Sequence, residues 1–361
     1  MKKFVSLMLA LVMACSLIAC GGKTETKTEA PAKTETKTEA PAKTETAAPG
    51  VEYTETTITW AHGAAETTTL HEAVLEFERL LEERSGGAVQ VDVFPNQQLG
   101  GDREYTEAGT QGNVDMGSPT SSNIAGFIPS LNVMDAPFVV TERAKMYEVL
   151  DGEFGQAVLD SMNVANLQGI GFLENGFRNL TTNREIKTLA DLSGLKIRVM
   201  ENDLHMTIWK SVGANPSPLA FGELYTALQQ KTFDAQENPL ELIYNTKFYE
   251  VQPYVYMTNH IYSAYLCWMN LDKWNSLNAD TQELVKQCMR DAEAFQRAKC
   301  ADAEKACREA IDASGISHVY DVDPALLAEI QAAVAPAYDM VRAAVGDELV
   351  DAYFAAAGFK G

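Results

Sequence analysis

Arg178 and Arg198 are the residues in this chain best suited to recognising a ligand, because each guanidinium offers a planar fork of donors that matches a carboxylate. Both lie in or beside β-like runs. An aromatic, Phe221, follows at a helix start, and an amide, Asn238, precedes Pro239. The chain carries 29 Lys+Arg against 50 Asp+Glu, a formal net charge of −21. An anion therefore needs local cations to overcome the background field. Spacing alone favours plainer roles. Arg198 fits an outward-facing position on a half-exposed strand, since alternation over Leu195–Met200 puts Lys196, Arg198 and Met200 on one face. Arg178 fits a surface salt bridge before a polar turn over Asn179–Asn183, Phe221 a core position, and Asn238 a cap or turn.

Other chemistries leave no pattern. The acidic balance argues against nucleic acid and against electrostatic adhesion to an anionic membrane. Gly169 and Gly171 lack the third glycine of a dinucleotide loop, and there is no phosphate loop and no Gly-x-Ser-x-Gly elbow. His62, His71, His205, His260 and His318 form neither a His-Glu-x-x-His motif nor a Cys/His zinc spacing. No metal or other cofactor is expected, and the chain reads as a binding protein rather than an enzyme.

The elements that must position the arginines are alternating strands and helices. Thr56–Ala61, Ala88–Phe94 and Val114–Gly117 read as strands, separated by a helix over Thr67–Arg84 and another starting near Gly101. Strands at Gly169–Leu173 and Leu195–Val199 and helices at Leu204–Val212 and Phe221–Lys231 repeat the pattern, and Asn259–Met269 reads as a core strand. Thr281 to about Ala313 is one helical run of about 50 Å, long enough to brace two domains. Pro324–Gly346 is a helical region broken at Pro336. The expected class is α/β with largely parallel sheets. At this length the folded part is expected to split into two domains.

The N-terminus reads as an address. Met1–Lys3 is basic, Phe4–Ile18 is apolar but short for a membrane span, and Leu17–Gly21 resembles the bacterial lipoprotein box. Residues 1–19 are expected to leave as a signal peptide, with Cys20 receiving the lipid. Residues 23–46 repeat a ten-residue Lys/Thr/Glu/Pro/Ala unit with almost no apolar bulk, expected as a disordered tether within 20–50. Cys267, Cys288, Cys300 and Cys307 read as small buried thiols. Cys300 and Cys307 lie about 10 Å apart along one helix face, too far for a disulfide.

Several blocks in order carry a family resemblance: Phe94–Arg103 (FPNQQLGGDR), Asn175–Arg178 (NGFR), Asp191–Val199 (DLSGLKIRV), Pro218–Gln229 (PLAFGELYTALQ), Asp234–Asn238 (DAQEN) and Met257–His260 (MTNH). Over residues 56 to about 345 the chain resembles the DctP-like solute receptors of tripartite ATP-independent periplasmic (TRAP) transporters. The resemblance implies a type II-like periplasmic-binding-protein fold. Two α/β domains, about 51–174 plus 264–303 and about 175–263 plus 304–361, would be joined by a hinge and close on a small organic anion in the cleft between them. It implies that Arg198 clamps the ligand carboxylate, Arg178 lines the same pocket, Phe221 packs beside the carboxylate and Asn238 hydrogen-bonds it. His260, in the last block, joins the expected set. The rest of the ligand is expected near Gly63, Asp102 and Thr120. Thr120 replaces the acidic residue of sialic-acid receptors, which argues against that ligand. The wording of the NGFRNLTTN stretch resembles receptors for sugar acids such as uronates or aldonates, with C4-dicarboxylates, 2-oxo acids or a sensing role as alternatives. The implied partners are the membrane permease subunits, with the receptor itself a lipid-anchored, extracytoplasmic monomer.

Overall fold

A computed structural model describes residues 50–360. The signal peptide, Cys20 and the repeats expected before residue 50 lie outside the described residues. Among the described residues ten strands form: β1 (Thr56–Ala61), β2 (Val89–Phe94), β3 (Met116–Gly117), β4 (Leu167–Thr182), β5 (Lys196–Val199), β6 (Asn215–Pro218), β7 (Ala235–Pro239), β8 (Tyr254–Met257), β9 (Tyr262–Asn270) and β10 (His318–Asp321). They run in the order β2-β1-β3-β9-β4-β7-β5-β6, with β8 on β4 and β10 on β8.

β4 ties two lobes together. Its first part, Leu167–Phe177, pairs antiparallel with β9, and β3 and the parallel pair β1–β2 complete the first lobe. Its last part, Arg178–Thr182, pairs antiparallel with β7 and β8, while β5 lies parallel between β7 and β6. Within the first part the register shifts at Gly169/Gly171 and again at Glu174/Gly176, where Gly176 takes φ of 110°, a left-handed conformation that a side chain would strain.

Asn179–Asn183 was expected as a polar turn, and the structure corrects this: the strand runs on through Thr182. Its polar side chains are buried because each finds a partner. The Asn179 amide donates to the Phe177 carbonyl at 2.9 Å and accepts from the Asn259 N–H at 3.1 Å; the Thr181 hydroxyl accepts from Gln236 at 2.9 Å. β6 was missed because Pro216 and Pro218 argue against a strand; it survives as an edge strand, where a missing N–H is tolerated.

The helix Ala279–Ala313 runs 35 residues and packs on the helix Thr69–Arg84, on β4, on the helix Leu240–Asn245 and on β10. It thus touches both lobes. Midway, the buried Gln296 accepts from the Glu174 N–H at 2.7 Å and donates to the Glu174 carbonyl at 2.9 Å, filling the gap that the register shift leaves in the ladder. The last helix, Asp347–Ala357, packs on Arg143–Asp151 and Glu153–Ser161 of the first lobe, with Tyr353 stacked on Phe154 at 4.7 Å. Residues 304–361 are therefore divided between lobes here, where the sequence expectation put them all in the second. Cys267, Cys288, Cys300 and Cys307 are buried and free. Burial pushes the Cys288 thiol up to about 11 and that of Cys307 to about 12, so they pack as small apolar groups. No helix among the described residues is long and apolar enough to cross a membrane.

Candidate ligand-binding site

Three neighbouring strands of the second lobe supply one wall of a cavity of about 390 Å³ between the lobes. Arg178 begins the second-lobe part of β4, Asn238 lies on β7 and Arg198 on β5, adjacent strands in the order β4-β7-β5. Phe221 begins the turn after β6, its ring edge-on to Phe248 at 5.9 Å. The facing wall carries Gly63 just after β1, Asp102 at the start of the helix Asp102–Thr110, and Thr120 bridged to Tyr265 on β9. Arg178, Arg198, Phe221, Asn238, Gly63, Asp102 and Thr120 all line this cavity.

The two arginines differ in state. Arg178 is saturated on one edge: its Nε donates to Glu237 Oε2 at 2.5 Å, and Nη2 donates to Glu237 Oε1 at 2.9 Å, to the Glu237 carbonyl at 2.6 Å and to Asn238 Oδ1 at 3.2 Å. Glu237 is itself fully buried. Burial pushes its carboxyl up, but the Arg178 guanidinium and the His260 hydrogen bond outweigh that and hold it well below the usual carboxylate range. Arg178 is thus neutralised where it stands.

Arg198 is not. Its Nε donates to the Leu219 carbonyl at 2.8 Å, while Nη1 is buried with no partner among the described residues. Burial lowers its pKa to about 10, against the pull of Glu237. The outward, half-exposed orientation that spacing favoured is therefore wrong: the strand face carrying Arg198 looks into the cleft, and the residue is 1 % exposed. A buried guanidinium with an unmet donor is costly unless something anionic meets it.

His260 does not line the cavity. It stands behind Glu237, its Nε2 3.1 Å from Oε2 and its Nδ1 2.8 Å from the Thr258 hydroxyl. From that place it supports the Arg178–Glu237 pair instead of touching a ligand. Asn175, Gln97, Asn123, Met200 and Glu201 line the cavity without having been singled out. Gln97 and Asn175 lie inside blocks that carried the resemblance, so a signal existed; Asn123 and Glu201 had none.

Next to Gly63 in the chain, but outside the cavity lining, His62 forms a pH-sensitive pair with His71. His62 Nε2 sits 3.0 Å from His71 Nδ1, with both rings buried. Burial, reinforced by His71, lowers the His62 pKa to about 3. A histidine whose folded pKa lies below its unfolded value keeps its stabilising contribution above about 6.5 and loses it as pH falls through the window down to its folded value. The expected slope is about 1.4 kcal/mol per pH unit in that window. Melting temperature measured from pH 7 to pH 4 should fall more gently for His62→Gln than for wild type.

Among the described residues no cluster of three or more His, Cys, Asp or Glu is placed to hold a metal ion. The cavity's own chemistry is an unmet guanidinium on one wall and a hydrogen-bond-accepting carboxylate, Asp102, on the other.

Comparison with known proteins agrees on one family. The family described as "Bacterial extracellular solute-binding protein, family 7" matches residues 60–344. The 2,3-diketo-L-gulonate-binding periplasmic protein YiaO of Escherichia coli is 32 % identical over 268 residues, 74 % of this chain and 82 % of that protein. The sugar acid binding protein DctPAm of Advenella mimigardefordensis, solved with galactonate, superposes with a TM-score of 0.82 at 31 % identity, covering 85 % of this chain and 99 % of that one. A TRAP solute-binding protein of Sulfurospirillum deleyianum, solved with succinate, gives a TM-score of 0.78 at 32 % identity over 84 % and 99 % of the two chains.

Proposed function

The chain belongs to the bacterial extracellular solute-binding proteins of family 7, and from that membership we propose that its cavity takes a small sugar acid with a single carboxylate, an aldonate or a uronate, for delivery to a TRAP permease. One observation carries the choice of ligand. Among the described residues Arg198 is the guanidinium of the cavity's inner wall that makes no ion pair and leaves Nη1 unpartnered, and the opposite wall presents the acceptor Asp102.

A carboxylate seated on Arg198 would meet Nη1, and Arg178 Nη1 makes none of the contacts that tie that residue to Glu237. Asn238 is half committed, its amide donating to Gln236 Oε1 at 2.6 Å and accepting from Arg178. Phe221 supplies an apolar flank that keeps water from competing. At the far end, Asp102 accepts hydrogen bonds. It suits a hydroxyl and repels a second carboxylate. Closing the lobes over the ligand removes water from around the guanidinium and strengthens the pair.

The dicarboxylate alternative rests on Arg103, exposed at the cavity rim and lying over the Phe127 ring at 5.4 Å, where it would meet a second carboxylate. The two readings separate in a thermal-shift comparison of D-galactonate, D-galacturonate and succinate at equal concentration. A ligand held only by the folded state raises the melting temperature, by about 2.7 kcal/mol of stability at a hundred times its Kd. The sugar acids should produce the shift. Succinate matching or exceeding them would sink the single-carboxylate reading.

As a solute-binding family this is not a family of enzymes, and we read the ligand as released unchanged, with the receptor acting as a monomer. The same reading keeps a diacylglycerol on Cys20, to be tested by palmitate labelling, as the anchor at the outer side of the membrane.

A further inference from the structure

We propose that Tyr105 is a positioning residue for hydroxyl recognition: it pins Asp102 so that the open side of Oδ1 faces the slot over Gly63, where a ligand hydroxyl donates. This rests on the sugar-acid reading above and adds to it the residue and the atom that read the hydroxylated end.

The argument is one of lone pairs. An ionised carboxylate offers about four acceptor positions, two on each oxygen. Asp102 Oδ2 is filled, by the Thr120 N–H at 3.1 Å, the Thr120 hydroxyl at 3.4 Å and Asn123 Nδ2 at 2.9 Å. Oδ1 takes one bond, from the Tyr105 hydroxyl at 3.0 Å. Its remaining position is the only strong acceptor site on that carboxylate still open.

Gly63 marks where that position faces. A Cβ built on Gly63 would lie 3.0 Å from Asp102 Oδ1 and 3.6 Å from the Gln97 side chain. The space that glycine leaves empty therefore borders Oδ1, and both residues line the cavity. The slot takes one small donor and not a side chain.

Tyr105 is built to stay still. It follows Asp102 by three residues on the same helix, is fully buried, and lies 6.3 Å from the Trp268 ring. Two glycines admit that packing. A Cβ on Gly117 would come within 2.8 Å of the Tyr105 ring and 2.5 Å of Trp268, and one on Gly109 within 2.1 Å of Trp268. The phenol is wedged, so its hydroxyl fixes the carboxylate's rotation as well as accounting for one lone pair. Burial pushes the Asp102 carboxyl up while its four donors hold it down, and Tyr105 is one of them.

Titration calorimetry with D-galactonate tests this on wild type, Tyr105→Phe, Asp102→Asn and the double variant, from pH 5 to pH 8. Tyr105→Phe should bind roughly tenfold more weakly, the scale of one hydrogen bond to a charged group. In the Asp102→Asn background the same change should cost nothing further. The pH below which affinity falls should move upward in Tyr105→Phe, because the carboxylate has lost a donor that favours its ionised form; a purely structural tyrosine would not move it. Gly63→Ala, which leaves Tyr105 untouched, should lose at least as much affinity by filling the slot. Wild-type affinity in Tyr105→Phe, or an equal loss with and without Asp102, overturns the proposal and leaves the sugar-acid reading standing. A wild type that binds succinate but no galactonate, galacturonate or erythronate removes that reading and the proposal with it.

Discussion

Arg198→Ala should leave the protein folded and nearly unable to hold a carboxylate. Truncating one partner of a buried charge pair costs about 2–5 kcal/mol of binding, or roughly thirty- to several-thousand-fold in Kd. Arg198→Lys should recover little of it. One ammonium cannot both keep the 2.8 Å bond that Nε makes to the Leu219 carbonyl and meet the ligand as a fork does. The ligand-free protein should show the opposite sensitivity. An unpartnered buried guanidinium is a cost in the empty receptor, so the melting temperature without ligand should hold or rise in Arg198→Ala. Calorimetric titration with D-galactonate and a thermal melt of the empty protein check both halves. Wild-type affinity in Arg198→Ala would remove the residue from the clamp.

Arg178→Met should behave in the reverse manner, losing stability first. It leaves Glu237 charged, fully buried and without its bidentate partner, a change expected to cost about 3–5 kcal/mol in urea unfolding at pH 7. The pH dependence has a definite sign. In wild type the Glu237 carboxyl sits below its ordinary value, so its contribution is present above the unfolded pKa, about 4.5, and is lost as pH falls through the folded one. Without Arg178, burial dominates and lifts the folded pKa above the unfolded one. The penalty is then full above that raised value and relieved on acidification. The deficit relative to wild type should shrink as pH is lowered from 7 toward 4.5. Arg178→Met combined with Glu237→Gln should regain part of the loss, since the double change removes the stranded charge. An unfolding deficit independent of pH would mean that Glu237 is not the group left behind.

These two arginines show how far the sequence could be read. Both were visible as guanidiniums near strands, and the class, two lobes of alternating strands and helices braced by a long helix, followed from periodicity and the length of Ala279–Ala313. The difference between a clamp and a counter-ion did not. It depends on Glu237, one of many acidic residues, and on a register in which Arg178 faces Pro239 across β4 and β7. That pairing joins residues about sixty positions apart, and no local pattern reports it. The same limit hid β7 and β8, which are too short for a clear alternation. It also turned Asn179–Thr182 into an apparent turn, because polar residues in a strand look like loop until their partners are known. Asp102 and Thr120 came from the resemblance; the bonds joining them to Tyr105 and Asn123 are a property of packing.

The crossing of β4 from one lobe into the other has a consequence for how the chain acquires its structure. β3 needs β9, with Met116 opposite Met269, and β9 needs β4, whose far end needs β7 and β8. Neither lobe can finish its sheet from a contiguous stretch of chain. A polypeptide growing from its N-terminus holds β1 to β3 without a completed edge until residue 270 has been made, and the bracing helix comes later still. Such long-range pairing slows folding, since loop closure precedes the contacts that reward it. The two lobes should then gain and lose structure together, as one cooperative unit.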